Sequence, residues 1–342
     1  MKLPSSMRVL FIGDIVGKSG RNALSEHLPF LREKYHYDML IVNGENSAHG
    51  KGITEKIYNS LVDMGADCVT LGNHAFAKEN IYDFIDRADR LVRPENMEPR
   101  NVGSSARIIR YHDKKIGIYN IYGNVYMDNA TATPFETMEQ MMEKYPCDIR
   151  IVDFHRETTG EKYTFLHGFY ESCAMIVGTH THVQTADEQI YKGCAFICDV
   201  GMCGAYDSVL GRDSDEVVAT ARTGIRTRYV VSQNKGMVCG VVVDIDLDSG
   251  RAESIERIQL LPNIEKQNVH AIMNTKERRS EVKMPVEVNK DLCIGCGACV
   301  DVCPVGALQL GEEDGKAESD ENICIDCGAC MGTCPMEAIS QK

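Results

Sequence analysis

The 342-residue chain contains no apolar stretch approaching the roughly 18 residues of a membrane span, so a transmembrane protein is not expected. It also lacks the opening charge, short apolar core and small-residue cleavage site of a secretory signal, since MKLPSSMRVLFIG runs straight into strand-like sequence. A cytoplasmic protein with reduced thiols is the expectation. Positive charge is scarce too. Lysine and arginine number 37 against 50 acidic residues, a net charge of −13. Stable nucleic-acid binding, which needs a Lys/Arg-rich surface, is therefore not expected. A nucleotide substrate held through metal ions stays open. The rest is ordinary: 43% hydrophobic and 25% charged residues suit a globular chain with a sizeable core. The length suits one large domain and a small one.

Cysteine is the exception. Seven of the fifteen are scattered over the first 285 residues, several in apolar context as in CAFICDVGMCG, and read as buried, inert thiols. The other eight fall in the last fifty residues, where CIGCGACVDVCPVGAL (293–308) is echoed by CIDCGACMGTCPMEAI (324–339). Each copy is C-x2-C-x2-C-x3-C-P, the run in which the fourth cysteine ligates the other cluster of a two-cluster ferredoxin. That rule assigns Cys293, Cys296, Cys299 and Cys334 to one [4Fe-4S] cluster, and Cys324, Cys327, Cys330 and Cys303 to the second. A zinc ribbon explains the doubled four-cysteine run with its proline less well. From residue 286 onward 3 basic residues face 11 acidic ones, so this segment carries −8 of the total charge. Such a face suits a basic redox partner or plain solvation. A helix over 265–280 and an extended linker through Pro285 are expected between the two parts.

The first 264 residues alternate strands and helices, an α/β layered pattern. RVLFIGD, DMLIVNGEN, ADCVTLGNH, KIGIYNIYG, IRIVDFH, CAMIVGTHTH and CAFICDVGM read as strands. GRNALSEHLPFLREKY and TEKIYNSLVDMG read as helices, and 237–261 as a hairpin turned at Asp248-Ser249-Gly250. The stretch 122–146 reads as a loop.

Polar residues collect where those strands end, the usual place for a working site in α/β sheets. They are Asp14, then Glu45 and Asn46, then Asn73 and His74, then His155, and finally His180 with His182. On an extended chain His180 and His182, two apart, would point the same way and could share a target. Oxygen and nitrogen donors without thiolate suit iron, manganese or zinc. The set exceeds the needs of one ion and fits two, roughly 3.5–4 Å apart, as in two-metal phosphoester hydrolases. GDIVGKSG lacks the spacing of a phosphate loop.

GDIVG, NGEN, GNH, DFH and GTHTHVQTAD, in this order, resemble the calcineurin-like metallophosphoesterases. More narrowly they resemble the YmdB-type branch that acts on 2',3'-cyclic nucleotides, as does DVGMCGAYDSVLG (199–211). The resemblance spans residues 7–262 and implies an αββα sandwich followed by a small α+β ferredoxin-like domain from 286 to 342. It implies that Asp14, Glu45, Asn46 and His182 hold one ion, while Glu45 bridges to a second held by Asn73, His155 and His180. A hydroxide shared by the ions would attack phosphorus, and His74 would protonate the leaving sugar oxygen. The wider superfamily opens with D-x-H, where this chain has Asp14-Ile15-Val16, and it often follows Asn-His with an acidic residue, where this chain has Ala75-Phe76-Ala77. Any group orienting His74 must come from elsewhere. His49 and Lys51 are candidates for substrate contact, Asp199 for support of the site, and Arg156 and Glu157 for pairing with their surroundings. The expected protein is a metal-dependent phosphodiesterase with an iron–sulfur tail for electron transfer or redox sensing, whether monomer or homo-oligomer. Its rival is an electron-transfer protein whose larger domain docks or regulates.

Overall fold

Near-continuous apolar strands dominate the first 260 residues, and each divides its side chains between two faces. The structure, a computed structural model, describes residues 5–225, 227–262, 285–311, 313–325 and 327–341. The chain divides into two units, Met1–Asn263 and Ile264–Lys342. The helix expected over 265–280 lies outside the described residues.

In the first unit the strands begin with β1 (Ser6–Ile12), β2 (Asp14–Ile15), β3 (Met39–Asn43), β4 (Cys68–Thr70) and β5 (Leu91–Val92). Next come β6 (Ala106–Tyr111), β7 (Lys114–Tyr122), β8 (Ile149–His155) and β9 (Met175–Thr179). The last are β10 (Gln189–Tyr191), β11 (Cys194–Ile197), β12 (Met202–Ala205), β13 (Gly236–Asp246) and β14 (Arg251–Leu260). Helices α1 (Gly17–Tyr35), α2 (Glu55–Asp63), α3 (Pro134–Lys144), α4 (Thr159–Phe169) and α5 (Ser214–Thr223) lie between them. One sheet has the order β2-β12-β13-β1-β3-β4-β5 with β14 also on β13, and the other runs β10-β11-β9-β8-β7-β6.

Alternation within the strands builds the layers. Val9 and Phe11 of β1 and Ile41 of β3 meet Ile118 of β7, Ile151 of β8 and Val177 of β9 between the sheets. Their neighbours Leu10, Ile12, Leu40 and Val42 face outward onto Leu24, Leu28 and Leu31 of α1 and Leu61 of α2. On the far side, Val152, Phe154 and Ile176 pack with Met138 and Met141 of α3 and Phe165 of α4. The result is the expected αββα sandwich. Each large side chain so buried contributes about 1.5–3 kcal/mol, and slipping one strand by a residue would turn its whole set to the wrong layer.

Three sequence expectations need correction. Helix α1 starts at Gly17, three residues early, because that glycine takes φ 58° and turns the chain out of β2. Strand β1 stops at Ile12, and Asp14 instead opens β2, which pairs with β12. Within 122–146, residues 134–144 are helix, not loop. Thr133 caps it by accepting from the Glu136 amide at 3.2 Å, and Pro134 sits in the first turn where its missing N–H costs nothing.

In the second unit β15 (Val286–Val288) pairs with β18 (Ile339–Gln341), and β16 (Leu308–Leu310) with β17 (Ala317–Ser319), all antiparallel. Short helices α6 (Ala298–Asp301) and α7 (Ala329–Thr333) follow equivalent Cys-Gly steps in the two repeats. Small apolar residues and cysteines fill this core, among them Val286, Ala307, Leu308, Ala317 and Ile339.

Candidate metal centre and cysteine cavities

Both sheets deliver their strand ends to one cleft of about 280 Å³ in the first unit. Glu45, Asn46, Asn73, His74, His180 and His182 line it, with Lys51, Glu157, Leu210, Arg212 and Tyr229. Asp14 and His155 lie buried beside these groups. All eight side chains singled out in the sequence are thus brought together.

Acceptor atoms crowd the inner part of the cleft. The Thr179 hydroxyl donates to Asp153 Oδ1 at 2.7 Å, so its oxygen accepts from His155 Nδ1 at 2.8 Å. Neutral His155 then turns a bare Nε2 inward. Asn73 Oδ1 lies 2.9 Å from that nitrogen, His180 Nδ1 3.1 Å and Glu45 Oε1 3.4 Å. The other ring nitrogen of His180 faces Glu157 Oε2 at 3.0 Å, which fixes its proton there. Four lone-pair donors converge, a set that a cation satisfies.

A second convergence lies at His182. Its Nδ1 donates to the Leu210 carbonyl at 3.0 Å, leaving Nε2 3.2 Å from Asn46 Oδ1. The Asn46 amide nitrogen is committed to the Gly50 carbonyl at 3.1 Å, so here again two acceptors face each other. Asp14 Oδ2 accepts from the His180 amide at 3.1 Å, whereas its Oδ1 is buried with no hydrogen-bond partner. An orphaned buried carboxylate oxygen is costly without a cation to meet it. The donor set therefore fits divalent ions.

Electrostatics follow the same crowding. Burial pushes the Asp14 carboxyl up to about 7, against the pull of His182 and His155. Burial disfavours the His155 imidazolium, but Glu45, Asp14 and Asp153 outweigh it and bring the group up to about 9. Burial also opposes ionised Glu45, yet His155 and His74 hold it down near 2. His180 is driven to about 3 by burial and the neighbouring His155. The carboxylates that favour a proton on His155 would favour a cation in its place.

The histidine pair reaches the cleft differently from the extended-chain expectation. Strand β9 ends at Thr179, and His180 and His182 adopt φ 103° and 66°. They share a cleft because the backbone turns left-handed at each, a conformation that non-glycine residues rarely take. Gly72 closes the opposite side, where a Cβ would collide with Glu45 Oε2 and the His155 ring. His74 is held by its amide, which donates to Glu45 Oε2 at 3.0 Å. Its ring Nε2 lies a long 3.5 Å from the Asn73 amide nitrogen. Burial keeps its imidazolium below the usual histidine range.

Glu157, expected only to pair with its surroundings, pairs with the candidate ligand His180, and Thr179, Asp153 and Leu210 were not among the expected site residues. The signal for Glu157 was its place two residues after His155. Thr179 and Leu210 act on ring nitrogens through a hydroxyl and a carbonyl, which leave no sequence pattern.

The cysteines of the tail collect in two cavities. Cys293, Cys296, Cys299 and Cys334 line one, and Cys303, Cys324, Cys327 and Cys330 the other. Each grouping takes three thiols from one repeat and one from its partner. Amides of Ala317, Ala307 and Ala338 donate to the sulfurs of Cys293, Cys303 and Cys334 at 3.4, 3.2 and 3.3 Å. The thiols of Cys293 and Cys303 lie below the usual range. For Cys293 the cause is the Ala317 and Gly295 amides; for Cys303, burial works against it but the amides of residues 305 to 308 prevail.

Layered sheets with a polar cleft at their ends define a metallophosphoesterase-type sandwich, and the two-cavity cysteine unit that follows it in the chain defines a ferredoxin-type tail. The sequence profile of the YmdB-like protein family matches residues 10–258, and that of the 4Fe-4S dicluster domain residues 292–338. A 2',3'-cyclic-nucleotide 2'-phosphodiesterase of Bacillus subtilis is 42% identical over 258 residues, 74% of this chain and 96% of that one. A solved structure described as a novel phosphatase from Mycoplasma pneumoniae superposes with a TM-score of 0.72 at 35% identity, covering 79% of this chain and 100% of the other. In the tail, 37 residues are 54% identical to a probable ferredoxin of Methanosarcina thermophila, 11% of this chain and 62% of that one. The chain belongs to the YmdB-like protein family and carries an iron–sulfur dicluster domain at its C-terminal side. Among the described residues no helix is long and apolar enough to cross a membrane.

Proposed function

We propose that the larger unit hydrolyses phosphodiesters, with 2',3'-cyclic nucleotides as the substrate class, and that the tail holds two [4Fe-4S] clusters. The observation that carries the first part is the pair of lone-pair convergences around His155 and His182 beside the orphaned Asp14 oxygen. Asp14, Glu45, Asn46 and His182 hold one divalent ion. Glu45, Asn73, His155 and His180 hold the other. Iron and manganese suit these donors best, and zinc is also accommodated. When bound, such a pair supplies Lewis acidity and a water of lowered pKa.

The chain's own residues do the rest. Buried carboxylates and imidazoles keep the ions fixed, and hydrogen bonds from Thr179, Glu157 and Leu210 fix which ring nitrogen points inward. His74 lines the cleft and delivers its ring proton to the departing 2'-oxygen, a role open to imidazole near neutral pH. Lys51 lines the same cleft and offers a positive charge to a phosphoryl oxygen. The phosphodiesterase name of the 42% identical relative supports the substrate class. In the tail, the two four-cysteine cavities support one cluster in each, and the acidic charge suits a basic redox partner.

Metal analysis of anaerobically purified protein with a 2',3'-cAMP turnover assay tests both parts. About eight cluster irons and about two further ions, with turnover, are expected. Protein that cleaves no phosphodiester with iron or manganese, yet exchanges electrons rapidly at its clusters, would favour an electron-transfer role instead.

A further inference from the structure

The sequence around Asp199, CDVGM, contributes no group to the chemistry above, yet Asp199 is bonded to Thr181, the residue between the two histidines. Asp199 is fully buried. Its Oδ2 accepts from Lys162 Nζ at 3.0 Å, from the Thr181 amide at 3.0 Å and from the Thr181 hydroxyl at 2.8 Å. Its Oδ1 accepts from the Gly201 amide at 2.8 Å. Lys162, on α4 and equally buried, also donates to the Thr179 carbonyl at 3.2 Å. One ion pair thus grips the residues on both sides of His180, and the second of these, Thr181, separates His180 from His182.

The following residues are laced to the same strand end. Thr185 and Asp199 exchange bonds, Thr185 N to Asp199 O at 3.0 Å and Asp199 N to Thr185 Oγ1 at 2.9 Å. Gln184 Nε2 donates to the carbonyls of Val200, Gly240 and Ile258. Two glycines make the approach feasible. A Cβ at Gly178 would lie 2.8 Å from Lys162 Cδ and collide with the Cys198 carbonyl. Gly201 has φ 79°, and a Cβ there would lie 2.9 Å from the Gln184 Cβ.

A buried ion pair is a costly way to stabilise a fold, since both charges lose water. What this one provides is a fixed course for a short segment that turns left-handed twice, at His180 and at His182. Without a clamp on Thr179 and Thr181 that segment would relax toward ordinary dihedrals and swing both imidazoles away from their partners.

We propose that Lys162 and Asp199 are positioning residues that, through Thr179 and Thr181, hold His180 and His182 in register with the two ion positions, and so set the affinity for the ions and not for substrate. The inference rests on the dimetal reading of the cleft. It accounts for two sequence motifs at once, GTHTHVQTAD and CDVGM, as a single device.

Mn2+ titrated into the full chain, with its clusters in place and the cleft stripped by chelator, tests this through the EPR signal of free Mn2+. Asp199→Asn and Thr181→Val should bind Mn2+ about 10–100-fold more weakly, and Thr181→Ser, which keeps the hydroxyl, should bind as the parent does. At saturating Mn2+ the KM for 2',3'-cAMP should be unchanged in every variant. Parental Mn2+ affinity in a folded Thr181→Val overturns the proposal, as does an equal loss in Thr181→Ser or a raised KM with unaltered Mn2+ binding. Asp199→Asn leaves Lys162 without its counter-charge, so the Thr181 pair decides if that variant does not fold. A parent chain that takes up no Mn2+ overturns the dimetal reading itself and this inference with it, an outcome distinct from unequal variants of a metal-binding parent.

Discussion

His74 can be separated chemically from its neighbours, because a proton donor matters only when the leaving group needs one. His74→Ala should lower kcat on 2',3'-cAMP by about 10²–10⁴-fold. On bis(p-nitrophenyl) phosphate, whose leaving group departs unprotonated, the loss should be far smaller. Equal losses on both substrates would remove His74 from the acid role. Gly72 makes a second test. Its missing side chain lets Glu45 and His155 close the cage, so Gly72→Ala should cost about 10–100-fold in Mn2+ affinity by forcing those groups apart. Mn2+ titration of the two proteins checks it.

Along the elements, much of the site was legible, because strands that end in polar residues announce themselves. NGEN, GNH and DFH each stand where an apolar run stops, and the structure brings Glu45, Asn73 and His155 from the three together. Less legible was how the chain leaves β9. No pattern of hydrophobicity marks the left-handed turns at His180 and His182, and the residues flanking them bond to Lys162 and Asp199 elsewhere in the chain. Helix α3 escaped for a related reason: its apolar face is chiefly methionine, and its cap is a single threonine inside a polar stretch. The strand ends also predict a pH effect. In the metal-free chain His155 titrates near 9, above the ordinary 6.5, so its contribution to stability is complete below about 6.5 and is lost as pH rises through 9. Asp14, raised from 3.8 to about 7, acts in the same direction at lower pH. The unfolding midpoint of the metal-free chain should therefore fall between pH 6.5 and 9, and Mn2+ uptake in that window should release protons. Thermal melts with and without Mn2+, and calorimetry in buffers of different ionisation enthalpy, measure both. A midpoint that climbs with pH across the window would contradict the assignment.

At the scale of the whole molecule, the two units are built on different economies of order, one on sheets with apolar cores and one on small residues around thiols. Their chemistries should be separable. Cys303→Ser should cost the cluster shared with Cys324, Cys327 and Cys330, and spare the one bounded by its own sequence neighbours Cys293, Cys296 and Cys299. Iron and sulfide analysis should fall to about half, and Mn2+-loaded turnover of 2',3'-cAMP should persist. Loss of the other cluster first would overturn the exchange of fourth ligands. The grouping of thiols also sets an order of completion during synthesis. The cavity that opens with Cys293 lacks a wall until Cys334 has been translated, and the one that takes Cys303 stays incomplete until Cys330 emerges. Neither four-cysteine cavity can therefore be complete until both copies of the repeat have been made.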